Sequence, residues 1–352
     1  MKITLKSWDV LLFLFILGSL YIIAVFADFF APYHYDEEQR RNIYKPPDRI
    51  RFFDEKKDFH LRPFFYEQKR AKSEMAQRLY EKEKDHPVNL RFFVNGFPYK
   101  ILGIFSSDIH LFGTDSTPFN LLGTDSRGRD LWSRICYGSR VSLSIGLIGA
   151  LISFVLGMAF GSIAGYYGKS IDFFIMRFCE MIWMFPMFYL MLTLRAAIPP
   201  EISSVKMYFI IVFIMSFIGW AGMARVIRGM VLSLKEQEYV TAARAMGATD
   251  LKVIALYILP NTLSYAIVYV TISIPGYIIG ESTLSMLGLG IQDPGVSWGN
   301  LLADAMAISQ ITLYPWILSS GFFIFLTVLA YNFLGDRLRD ATDAKIRNEN
   351  RA

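Results

Sequence analysis

Six stretches of this chain are apolar for long enough to cross a lipid bilayer, and no other feature limits its fold so tightly. They run from Asp9 to Phe29, Val141 to Tyr166, Phe173 to Leu194, Met207 to Met223, Leu263 to Leu287 and Tyr314 to Leu334. A hydrocarbon core about 30 Å thick takes about 20 helical residues at about 1.5 Å each, so every stretch is a candidate membrane helix. Composition agrees: 53% of residues are hydrophobic and 19% charged, a balance unlike that of an ordinary soluble domain. The first stretch follows Lys2 and Lys6 as a signal peptide would. It outruns the usual apolar region of about 7–15 residues and lacks a small-x-small cleavage triplet, so it reads as an uncleaved anchor.

The net charge of +5 does not gather on one polar domain, which argues against a nucleic-acid partner and for a membrane orientation signal. Arg225, Arg228, Lys235, Arg244 and Lys252 lie between the fourth and fifth stretches, and Arg337, Arg339, Lys345, Arg347 and Arg351 lie in the tail. Both regions are expected in the cytoplasm, whereas Gly288 to Leu313, with no Lys or Arg, is expected outside. Six spans then place both termini inside and residues 31–140 outside. That long segment is polar, and Tyr66 to Asp85, rich in Glu, Lys, Arg and Gln with Met75 and Leu79 at i,i+4, predicts a solvated helix. His34, His60, His86 and His110 all fall in it, but no pair has metal-ligand spacing and no Cys accompanies them. Cys136 and Cys179 are far apart and read as two buried thiols.

Local chemistry marks five places. Gly157, Gly161 and Gly165 share one helical face that another helix can approach closely. In the fifth stretch Pro275 and Gly276 are expected to interrupt the helix before Glu281 and Ser282, which makes these four residues candidates for a transport path, with a structural pair between Glu281 and Arg177 or another basic group as the alternative. Asp172, Arg177 and Glu180 stand at helical spacing and read as pairing charges, and Trp298 reads as an interface anchor. Between Met223 and Pro260 the chain turns amphipathic and charged. Glu238 to Met246 predicts a helix, Gly247 a left-handed cap, Asp250 the cap of a second helix and Pro260 its break.

The run Thr241-Ala242-Ala243-x-x-x-Gly247, followed by Tyr257-x-Leu259-Pro260, resembles the coupling-loop signature of ABC importer permeases, with Thr241 in place of the usual Glu and Tyr257 in place of Ile. Leu122-Gly-Thr-Asp-Ser-Arg-Gly-Arg-Asp130, Gly138-Ser-Arg140-Val-Ser-Leu143, Glu281-Ser-Thr-Leu-Ser-Met-Leu-Gly-Leu-Gly290 and Pro294-Gly-Val-Ser-Trp-Gly-Asn300 are similar to the dipeptide/oligopeptide branch. Residues 31–114 fall outside the resemblance.

The apolar stretches, the Lys/Arg asymmetry and this resemblance together predict an all-α membrane protein of six transmembrane helices, with a cytoplasmic coupling helix-turn-helix and a long extracytoplasmic segment between helices 1 and 2. It divides into an anchor over 1–30, the extracytoplasmic segment over 31–140, a permease core over 141–336 holding the coupling loop 225–260, and a cytoplasmic tail over 337–352. The resemblance itself implies a subunit of an ATP-driven importer in the bacterial inner membrane. Its expected partners are a second homologous permease, two cytoplasmic ATPases and an extracytoplasmic substrate-binding protein. The residues it assigns to ATPase coupling are Glu238, Tyr239, Thr241, Ala242, Ala243, Arg244, Gly247, Asp250, Leu259 and Pro260. Peptides are the implied cargo and oligosaccharides the alternative. The sequence holds no Gly-x-x-x-x-Gly-Lys-Ser/Thr loop, so the chain is expected to bind no cofactor, with ATP and Mg used by the ATPases. An ion-coupled secondary transporter would leave the charged loop unexplained, and a membrane enzyme would need reactive groups inside the spans.

Overall fold

A computed structural model describes residues 8–54, 57–71, 78–101, 103–186, 189–190, 192–193, 197–199 and 202–349. In chain order the elements are α1 (Trp8–Val25), α2 (Ala27–Phe30), β1 (Arg51–Phe53), β2 (Phe59–Arg70), β3 (Tyr80–Asn89), β4 (Arg91–Ile101) and β5 (Phe105–Gly113). There follow α3 (Leu131–Tyr167), α4 (Lys169–Met184), α5 (Ser204–Leu234), α6 (Glu238–Ala245), α7 (Asp250–Val253), α8 (Leu259–Met286), α9 (Trp298–Leu301), α10 (Ile308–Leu313) and α11 (Ser319–Glu349). The chain forms two compact units, one of Met1–Leu17, Ser144–Glu281 and Leu326–Ala352, the other of Gly18–Leu143 and Ser282–Phe325.

The chain is mostly helical, as expected, and among the described residues five helices are long and apolar enough to cross a membrane. The expected third span is represented by α4, which stops at Met184 after 16 residues. Phe185 precedes Pro186 and adopts an extended conformation (φ −86°, ψ 115°), because the proline ring disfavours a helical residue before it. The rest of that stretch lies partly outside the described residues.

In the first unit the glycine face packs helix on helix. A Cβ on Gly161 would stand 2.6 Å from the Ala224 carbonyl oxygen, and one on Gly165 would stand 2.7 Å from Val231 Cβ, so α3 and α5 meet backbone to backbone. Asp172 of α4 accepts from Arg228 Nε of α5 at 2.9 Å, and Arg177 donates to Glu180 at 2.6 Å, so these charges pair within the unit. Two expected helix breaks do not occur. Ile254–Ile258 form a π turn in which the Leu259 N–H reaches back five residues to the Ile254 carbonyl. This wider turn accommodates Pro260, and the Asn261 side chain donates to the Tyr257 carbonyl at 2.7 Å. The helix therefore continues from α7 into α8, which also runs through Pro275 and Gly276 to Met286. One absent N–H is tolerated where neighbouring helices enclose the backbone.

The second unit holds all five strands among the described residues, in an antiparallel sheet β1-β2-β3 and a hairpin β4-β5. The solvated helix expected over Tyr66 to Asp85 is thus replaced by parts of β2 and β3; Met75 lies outside the described residues. Charges that suit i,i+4 helix pairs meet across strands instead: Lys69 lies opposite Glu81 and pairs with Glu83 at 2.6 Å. Burial of Phe64, Phe65 and Tyr66 on β2 outweighs helix propensity. A buried polar chain runs through this unit. Lys45 Nζ donates to Asp48 at 2.6 Å and to Asn120 at 3.3 Å, and Asn120 Nδ2 donates to Asp130 at 3.0 Å. Burial pushes the Asp130 carboxyl up to about 6, against the opposing hydrogen bonds from Asn120 and Ser133.

Two sequence motifs of this unit meet through charge. Arg129 grips Asp293 with both terminal nitrogens, at 3.0 and 3.3 Å, and Asp125 through Nε at 2.8 Å. Arg134 joins the same two carboxylates at 2.5 and 3.0 Å. Burial alone would raise the Asp293 carboxyl, but Arg129 and Arg134 hold it below the usual carboxylate range. Trp298 is fully buried and not an interface anchor. Its indole N–H donates to the Ile135 carbonyl at 3.1 Å, and Gly138 leaves room for its ring.

Candidate functional site

The segment after α5 folds as two helical pieces around a glycine turn. Gln237 precedes α6, and Val240 and Ala243, three residues apart on one face, are fully buried. They belong to the side that packs on α5 and α7: Val240 shares a core with Ile227, Val231, Val253, Ile254 and Ile258. The turn closes with two paired bonds, Ala248 N–H to the Ala243 carbonyl at 3.1 Å and Gly247 N–H to the Arg244 carbonyl at 2.9 Å. Gly247 has φ +85°, the left-handed cap that its identity predicts. No heavy atom lies within 4 Å of a Cβ built there, so the demand for glycine is conformational and not one of space.

Asp250 does not cap by its side chain. Thr249 takes the cap position, and the Asp250 carboxylate accepts from the Tyr166 hydroxyl at 2.7 Å. The Arg244 guanidinium lies 4.8 Å from the centre of the same Tyr166 ring. The end of α3 thus clamps both limbs of the turn, a role nothing in the motif signals; only an aromatic residue near the end of the second apolar stretch hints at it. Lys235 Nζ adds a bond to the Gly165 carbonyl at 3.1 Å. The outer side stays uncovered. Tyr239, Met246 and Leu251 are 40%, 78% and 76% exposed, and Glu238, Thr241, Ala242 and Arg244 are exposed beside them. Leu259 and Pro260 lie beyond the π turn, at the root of α8.

A cavity of about 190 Å³ opens in the same unit between α3, α5 and α8. Ser153, Gly219, Tyr269, Ser273, Gly276 and Tyr277 are among its lining residues. The Ser153 hydroxyl lies 2.6 Å from that of Tyr277 and donates to the Ser216 carbonyl at 3.1 Å. Gly219 makes room for the Tyr277 hydroxyl, and Gly222 for that of Tyr269. Of the four path candidates, Gly276 lines this cavity. Pro275 and Glu281 are buried and are not among its lining residues, and Ser282, also buried, packs under Gly299. The lining hydroxyls carry no charge and match no motif; the spacing of Gly219 and Gly222 on one face is the only trace they leave in sequence.

With this geometry in place, comparison with known proteins becomes specific. A family model described as binding-protein-dependent transport system inner membrane component matches residues 157–348. The chain belongs to this family. A second model, the N-terminal TM domain of oligopeptide transport permease C, matches residues 10–47. Similar proteins include the oligopeptide transport system permease protein OppC of Haemophilus influenzae, 42% identical over 230 residues, which are 65% of this chain and 71% of that protein. The dipeptide transport system permease protein DppC of Bacillus subtilis is 37% identical over 279 residues, 77% of this chain and 85% of that protein. The glutathione transport system permease protein GsiD of Pectobacterium atrosepticum is 39% identical over 227 residues, 64% and 73% of the two chains. A solved chain from inward-facing conformations of the MetNI methionine ABC transporter aligns over 58% of this chain and 95% of its own, with a TM-score of 0.43 and 19% identity.

As a member of this family the chain is an integral membrane protein, the permease subunit of a binding-protein-dependent ABC importer. It is a transport subunit and not an enzyme, and it works with ATPase chains and a substrate-binding protein.

Proposed function

We propose that this permease imports peptides across a bacterial inner membrane, paired with a second homologous permease, and that the Glu238–Pro260 segment is where two cytoplasmic ATPases act on the pair. One observation carries the coupling assignment. The turn at Gly247 is bound tightly to α3 and α5 on its inner side, yet presents Tyr239, Met246 and Leu251 bare on its outer side. A rigid piece with an uncovered apolar surface is what a lever needs: a push on it reaches α8 without being absorbed by the loop. The π turn then feeds the motion directly into the cavity-lining helix. In this reading both termini and 225–260 are cytoplasmic, residues 31–140 face outward, and ATP and Mg are held by the ATPases alone. Peptide cargo follows the names of the similar proteins, and the neutral hydroxyls of the cavity suit a peptide backbone, since each can donate and accept.

Crosslinking tests the assignment. Both native cysteines are buried, so a thiol introduced by Met246→Cys is a selective handle. In the assembled importer it should crosslink to the ATPase and react from the cytoplasmic side. A thiol that reacts only from outside, or that never meets the ATPase, rejects the reading.

A further inference from the structure

The hairpin β4-β5 lies outside both regions matched by family models, and nothing in the transport reading gives it a task. A two-stranded hairpin is marginal by itself and needs something to pack against. Part of that support is visible. His110 of β5 is buried, with its ring nitrogens 2.8 Å from the Asp28 carbonyl of α2 and 3.1 Å from that of Phe97. The Phe29 ring of α2 lies 6.3 Å from the Phe93 ring of β4. The hairpin is therefore fastened to the residues that immediately follow α1.

The length of the apolar run sets the level of that attachment. α1 begins at Trp8, and its apolar run begins after Asp9. A hydrocarbon core about 30 Å thick takes about 20 helical residues, which from Val10 ends at about Phe29. Charge reappears at the same level, where Asp28 accepts from Arg140 and from Tyr137, each at 2.5 Å. Phe29 thus stands at the edge of the hydrocarbon, and Phe93 stands beside it.

Phe92 and Phe93 are 56% and 67% exposed. In a regular strand successive side chains alternate between faces, so one of two adjacent phenylalanines would be directed inward. Here Phe93 adopts φ +56°, a left-handed conformation rare for a bulky residue, and both rings leave the protein. Such an outlier points to a requirement outside the strand itself. Phe side chains, like those of Trp and Leu, seat interfacial segments at the boundary of headgroups and acyl chains.

We propose that Phe92 and Phe93 anchor the hairpin β4-β5 in the interfacial layer of the bilayer beside Phe29, so that phospholipid covers the aromatic end of this hairpin. The occupant is lipid because the patch continues the membrane boundary set by α1. The inference does not depend on the cargo or on which side of the membrane is cytoplasmic.

The test uses the complete importer in nanodiscs of phosphatidylcholine, with a nitroxide label on Phe93→Cys, and on Phe92→Cys in case the first substitution disturbs the left-handed residue. Collision of the label with oxygen, which partitions into lipid, is compared with collision with a water-soluble nickel chelate. The expected result is that oxygen dominates at both positions. Dominance of the nickel chelate at both positions overturns the proposal. So does a label that is exposed to the chelate and becomes shielded only when the substrate-binding protein is added, since the patch is then a protein-docking surface.

Discussion

Replacing Gly247 separates a conformational demand from a steric one. Its φ of +85° costs an ordinary L-residue about 1–2 kcal/mol, and a β-branched residue is disfavoured further. Because no atom lies within 4 Å of the added Cβ, no clash contributes. A penalty of about 2 kcal/mol lowers the ratio of closed to open turn roughly thirtyfold. Opening also gives up the paired bonds to Ala243 and Arg244, worth about 0.5–1.5 kcal/mol each, so the turn has two linked reasons to stay closed. The buried residues of α3, α5 and α8 are untouched, so insertion and assembly should survive. The assay is peptide uptake per ATP hydrolysed in proteoliposomes, for Gly247→Asn, Gly247→Ala and Gly247→Val. Asn tolerates the left-handed region and should couple nearly as well as glycine; Ala should fall between, and Val should lose at least about tenfold. Wild-type coupling by the Val variant refutes the cap argument. Equal failure of Asn and Val refutes it differently, by showing that a partner needs the empty space.

Other outcomes follow from the same structure. Gly161→Ala should destabilise the helix pair by about 1–3 kcal/mol, read as a lower melting temperature in detergent, because its Cβ meets the Ala224 backbone. Asp130, raised to about 6 when folded, binds protons that the unfolded chain has released, so its contribution to stability is present below about pH 4 and lost as pH rises to about 6. The loss is about 3 kcal/mol at most, and Asp130→Asn should flatten the melting temperature over that window. Asp293 acts in the opposite sense: its pKa is lowered in the fold, so its stabilisation is lost as pH falls below the usual carboxylate range, and Asp293→Asn should remove that acid sensitivity. Glu281→Gln keeps shape and removes charge; if Glu281 serves the path, transport falls while assembly is normal, and poor assembly assigns it to the fold.

How much of this was legible in sequence depended on how local the cause is. Hydrophobic runs mark membrane helices because the bilayer acts on each segment separately. Gly247 declared its turn because only glycine adopts that backbone without cost, and the Gly157 face declared a close helix contact. Pro260 and Pro275 misled because a π turn and an enclosing bundle satisfy what a proline removes, and neither shows in a window of residues. Tyr66 to Asp85 misled because strand pairing brings Lys69 to Glu83 from a distance, while composition reports only helix propensity. The place of Trp298 in a loop suggests an interface anchor, although the space at Gly138 admits its ring and buries it. The cavity hydroxyls and the Tyr166 clamp leave little mark in the sequence, because a serine or tyrosine in an apolar run carries no charge.

Under the proposed coupling, ATP hydrolysis by partner chains drives import through the Glu238–Pro260 segment. The most direct test is uptake of a labelled peptide into proteoliposomes that contain both permeases, the ATPases and the binding protein, with a hydrolysis-deficient ATPase as the single change. Uptake should stop, and an imposed proton or sodium gradient should not restore it. Uptake that persists, or that follows the ion gradient, would contradict the proposed coupling.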